Sequence, residues 1–175
     1  NEPKQAKDCY QKALDIYRAL AKKNPQAYNP DLAMTLNNLG ALFHEHNEPK
    51  QAKDCYQKAL DIYREFAKKN PQAYNPDLAG TLNNLAVFCY QINNQEEAEK
   101  AYEEALAIRE ILAKNNPSAY EIDYLQTLIF GIDCLGKDPK DIEQIKQHYR
   151  NTLTVVEQKN LLEKIKSREE ENPNA

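Results

Sequence analysis

Apolar residues along the chain recur at a helical period. Ala52, Tyr56, Ala59, Leu60, Tyr63 and Ala67 fall at i, i+4, i+7, i+8, i+11 and i+15, while Lys53, Asp54, Gln57, Lys58 and Asp61 occupy the other positions. One apolar stripe with polar residues opposite predicts an amphipathic helix. Leu78, Leu82, Leu85 and Cys89 form a second such stripe. Asn47 is placed to cap the first of these helices, Lys68 and Lys69 suit the negative end of its dipole, and Asn70-Pro71 ends it. The next helix is expected to open at Asn75-Pro76-Asp77, with a cap, a proline at the first position and an acid near the positive end. No segment alternates with period two, so no sheet is expected.

The pattern is a repeat. Asn1 to Arg18 recurs letter for letter as Asn47 to Arg64, Asn24 to Ala33 as Asn70 to Ala79, and Thr35 to Leu39 as Thr81 to Leu85. Every match has an offset of 46, with 36 identities in 46 positions. A looser third copy keeps the register at Ala98, Tyr102, Ala105 and Asn116-Pro117. Repeats of this length predict stacked helical hairpins. The expected organisation is an array over 1–158, followed by a charged helix or tail over 159–175. Within the array, 1–23 is a lone second helix, 30–69 and 76–115 are full units, and 121–158 is a degenerate capping unit. A start in mid-unit, without an initiator methionine, reads as a fragment of a longer protein.

Leu36, Leu39, Gly40, Phe43, Asn47, Ala52, Tyr56, Ala59 and Leu60 resemble a tetratricopeptide repeat, and Leu82, Leu85, Ala86, Cys89, Asn93, Ala98, Tyr102, Ala105 and Leu106 repeat the signature. In this reading Gly40 or Ala86 faces Ala52 or Ala98 across the hairpin, allowing close approach. The family's usual period is about 34 residues. The extra 12 here would lengthen the second helix and insert an Ala-Tyr-Asn-Pro loop. The long period and the Thr-Leu-Asn-Asn-Leu string are similar to kinesin light chain-type repeats and to bacterial arrays of that kind. The resemblance implies an all-α fold, a right-handed α-α superhelix of antiparallel hairpins.

It also implies a concave groove lined by the first helix of each pair. Asn37, Asn38, Ala41, His44 and Glu45 fall there in one unit, and Asn83, Asn84, Val87, Tyr90 and Gln91 in the next. A side-chain amide donates and accepts, so Asn37 and Asn83 could grip a peptide backbone regardless of its sequence. Equivalent rungs about 10 Å apart would meet every third residue of a chain rising about 3.3 Å per residue. The alternative is that these asparagines bond to neighbouring helices and fix the stacking. Ile129 and Phe130 in the third copy should end the ladder after two rungs. The groove lacks lysine and arginine at the matching positions, so the family's basic clamp for a terminal carboxylate is not expected.

Composition narrows the functional class. Lysine plus arginine number 23 against 27 aspartates and glutamates, a net charge of −4, which disfavours nucleic acid as a partner. No apolar run reaches the roughly 20 residues of a membrane helix. Cys9 and Cys55 are repeat equivalents, too far apart for a disulfide if helix spacings are typical. With Cys89 and Cys134 they read as buried reduced thiols, which points to the cytoplasm. His44 and His46, two apart, do not share a helix face, and no metal-ligating, phosphate-binding or nucleophilic motif accompanies them. The sequence therefore predicts no enzyme and no cofactor, but a scaffold for a protein or peptide ligand. The competing expectations are a structural module that associates through its uncapped first helix, and the sensor arm of a larger regulator.

Overall fold

The computed structural model describes residues 2–137 and 143–155, with side-chain surroundings from residue 7 onward. The charged segment expected over 159–175 lies outside the described residues. The chain forms α1 (Glu2–Lys23), α2 (Pro25–Glu45), α3 (Pro49–Lys69), α4 (Pro71–Gln91), α5 (Gln95–Asn115), α6 (Pro117–Leu135) and α7 (143–155). Among the described residues there is no strand. From α1 to α6 each helix packs on the next, and α7 is tied to α6 by Lys146–Asp133 (2.7 Å), His148–Glu121 (2.9 Å) and a hydrogen bond from Gln126 to the Tyr149 hydroxyl (3.1 Å). The result is an all-α helical solenoid.

Two kinds of turn alternate. Within a hairpin, Asn47 and Asn93 adopt left-handed backbone (φ 57° and 58°). The Asn47 N–H donates to His44 O (3.0 Å) and the Glu48 N–H to Phe43 O (2.8 Å), the paired bonds that close a helix C-terminus around a left-handed residue. Asn47 is thus the turn, not the cap expected from sequence. Glu48 occupies the cap position, and its carboxylate instead takes Lys7 (2.8 Å) from α1. Between hairpins a single asparagine makes the turn. The Asn70 N–H closes α3 on Phe66 O (2.9 Å), while its side chain accepts from Ala73 N (3.2 Å) and caps α4.

The first helix of each unit therefore starts five residues earlier than the Asn75-Pro76 signal suggested, and Pro76 and Pro30 lie inside their helices. Each proline removes one intrahelical bond. Packing offsets that loss: Tyr74, two residues before Pro76, meets Phe66 edge-on at 5.2 Å, and Leu78 and Ala79 are buried just beyond. The Ala-Tyr-Asn-Pro segment is consequently helix rather than loop, and both helices of a unit have 21 residues.

The core runs along the array between the helix rows, through Leu36, Leu39, Ala52, Tyr56, Ala59, Leu60, Leu82, Leu85, Phe88 and Tyr102. A side chain added at Gly40 would come within 2.9 Å of the Tyr56 ring, so the glycine lets an aromatic ring of α3 approach closely. Cys55 and Cys89 are buried, but Cys9 is exposed and Cys134 half-buried, so only two of the four thiols serve as core.

Candidate functional site

The backbones of α2 and α4 approach within 8 Å between Cα atoms, as do those of α4 and α6, whereas the backbones of α1, α3 and α5 stay farther apart. Rows that converge on one side make α2, α4 and α6 the inner wall and α1, α3 and α5 the outer one. The outer row is bridged by charge instead. Arg64 forks onto Glu104 (Nη2 at 2.7 Å) and Lys53 reaches Glu97 (2.5 Å). The Glu97 hydrogen bond raises the Lys53 pKa, and the Glu104 hydrogen bond raises that of Arg64.

All ten groove residues named from the sequence lie on α2 or α4. Asn84 Nδ2 donates to Asn37 Oδ1 (3.1 Å), and Asn37 Nδ2 donates to Asn38 Oδ1 (3.3 Å). Seven residues further along both helices, His44 Nε2 meets Gln91 Oε1, and the His44 ring stands edge-on to Phe88 at 5.3 Å. Two cross-links, two helical turns apart, thus stitch α2 to α4. Ala41 and Val87 are half-buried, Glu45 and Gln91 are exposed, and Tyr90 is 37% exposed. The four asparagines are half-buried.

The next junction is built differently. Asn83 Oδ1 accepts from Thr127 (3.4 Å) on α6, and Phe130 stands where a second amide would continue the pattern, edge-on to Tyr90 at 6.0 Å. The single Thr127 hydroxyl hydrogen is shared between Asn83 Oδ1 and the nearer Asp123 O (3.0 Å), the carbonyl position to which Thr81 (Asp77 O) and Thr35 (Asp31 O) also donate. Arg109, 9% exposed at the position matching Tyr63, donates to Asp123 O (2.9 Å) and to Thr127 Oγ1. Burial lowers its pKa. This network joining α4, α5 and α6 escaped the sequence analysis, although an arginine on the apolar stripe of α5 was its signal.

The amides have hydrogen-bonding capacity left. Each carries two donor hydrogens and two acceptor lone pairs. Asn83 uses one acceptor site, and Asn84 one donor, in the bonds found among the described residues. Among those residues there is no cluster of three or more potential metal ligands, and no helix is long and apolar enough to cross a membrane.

Residues 1–65 and 78–117 match two sequence profiles, each described as tetratricopeptide repeat. The two segments together take in more than half of the chain. No protein of curated function matches the sequence. Among solved structures the chain is similar to BtubC (BKLC) from P. vanneervenii, with a TM-score of 0.57 and 23% identity. The likeness covers 86% of this chain and 59% of that one, and shows the fold alone.

Proposed function

Because the chain belongs to the tetratricopeptide-repeat family, whose arrays generally serve protein interaction, we propose that it is a non-catalytic scaffold taking an extended peptide segment or a helix along the inner wall of α2 and α4. The observation that carries this reading is the half-buried amide row with unspent hydrogen-bonding capacity. Asn83 Nδ2 and Asn84 Oδ1 would bond a ligand backbone, while Ala41, Val87 and Tyr90 supply apolar contact. The Asn37–Asn84 bond also fixes the stacking, so these residues carry both roles. A peptide selected from a random display library, measured by isothermal titration, tests the site. Asn83→Ala should weaken binding by about 0.5–1.5 kcal/mol, the usual worth of one hydrogen bond. Ala41→Arg should block it outright, and Asp61→Ala on α3 should leave it unchanged. Equal affinity in all three variants would remove the groove from consideration.

A second reading, self-association through α1, has its own observation. Tyr10, Ala13 and Tyr17 are only half-buried, whereas their α3 counterparts Tyr56, Ala59 and Tyr63 are at most 2% exposed.

A further inference from the structure

The repeat sets two junctions side by side, and the second of them holds a cavity. At the first, Phe66 is 2% exposed and packs edge-on against Tyr74, with Lys69 Nζ 5.6 Å from its ring and ion-paired to Glu65 (2.9 Å). One repeat later the same positions hold Leu112, Tyr120, Asn115 and Ile111. The ring has been lost, its lysine cover has been shortened, and both charges have gone from the rim. What remains is a cavity of about 610 Å³ between the start of α4, the end of α5 and the start of α6, with Ile111 left 58% exposed at its edge. That volume lies within the range of about 300–1,000 Å³ common for ligand sites.

We propose that this cavity is a binding site for a phenylalanine-type aromatic side chain on an uncharged peptide segment. The ring would enter beside Leu112 and meet Tyr120 edge-on, as Phe66 meets Tyr74. The amides around it suit the peptide groups flanking that ring. Gln72, Asn75 and Asn115 make no side-chain hydrogen bond among the described residues, and the Gln72 carbonyl has lost its usual intrahelical donor because Pro76 lacks an N–H. A rim without charge selects against acidic and basic ligands, which would lose hydration without gaining a partner. The site lies about 12 Å along α4 from Asn83, at 1.5 Å per residue, so it is separate from the groove and does not depend on it.

The probe is N-acetyl-L-phenylalaninamide titrated into the ¹⁵N-labelled chain, with N-acetyl-L-leucinamide as its aliphatic counterpart. Saturable shifts are expected at the Gln72, Ile111 and Tyr120 amides, with the leucine compound weaker by about two- to tenfold, the worth of an aromatic pair. Leu112→Phe restores the first junction's arrangement. It should keep the wild-type melting temperature or raise it, and it should abolish the shifts. Ile111→Glu, which puts a carboxylate on the exposed apolar edge of the cavity, should weaken binding without touching the core, and decides the matter if Leu112→Phe does not fold. The proposal is overturned by the absence of saturable shifts, by equal affinity for the two compounds, or by unaltered binding in whichever of these variants folds.

Discussion

Glycine is used for opposite reasons at Gly80 and Gly131. A methyl group added at Gly131 would overlap the Tyr102 phenol, while at Gly80, inside α4, it would meet nothing within 4 Å. Gly80→Ala should therefore stabilise the protein by about 0.5–1 kcal/mol through lower unfolded-state entropy. Gly131→Ala should destabilise it by about 1–3 kcal/mol through overpacking. Urea midpoints of the two variants should move in opposite directions. The buried thiols set a pH limit. Burial pushes the Cys55 thiol up from 9.0 to about 11 and the Cys89 thiol from 9.0 to about 12, and raises Tyr56 and Tyr63 above their ordinary 10.0. The folded state thus holds protons that the unfolded state releases first, so stability is full below pH 9.0 and falls as pH rises toward 11 and 12. Thermal melts at pH 8, 10 and 11 should show that decline, shallower in a Cys55→Ala, Cys89→Ala variant.

At the scale of elements, one residue often does the work of two ends. Asn70 closes α3 with its backbone and opens α4 with its side chain, whereas Asn116 makes no capping bond from its side chain. Asn70→Ala should cost about 1 kcal/mol of stability. Asn116→Ala should stay within about 0.5 kcal/mol of the parent, as surface changes generally do. Both differences are measurable by urea denaturation. These junctions show where local sequence signals were ambiguous. Asn-Pro occurs at 70–71 and again at 75–76, and both pairs carry start signals in sequence. The choice fell to the first because Tyr74 packs on Phe66 from the other side of the junction. That contact joins two helices and has no local signature.

At the scale of the molecule, contacts among the described residues run chiefly between neighbouring helices, so a helix packed on one such neighbour holds fewer of them than a helix packed on two. Pro3–Arg18 of α1 is identical to Pro49–Arg64 of α3, yet Ile16 is 59% exposed while Ile62 is partly buried against the core. The same letters give a core face in one place and an open face in the other. Exposed apolar surface of this kind favours association. Light scattering at tens of micromolar should give a mass above 20.2 kDa that falls to the monomer value in Ile16→Glu. A wild-type chain that stays monomeric under those conditions counts against association through α1.

The 46-residue echo and the stripes from Ala52 to Ala67 and Leu78 to Cys89 sufficed to establish helices, hairpins and their stacking order, because helical period and repetition are properties of the chain taken locally. The position of Asn37, Asn83 and their neighbours on the first helices was legible for the same reason. That Asn37 bonds Asn84, that Arg109 anchors Thr127, and that a cavity lies beside Leu112 where Phe66 packs on Tyr74 one repeat earlier were decided only by the fold. Each depends on which side chains meet across helices, in pairs up to 47 residues apart, and a pattern read along one helix does not contain the partner's shape.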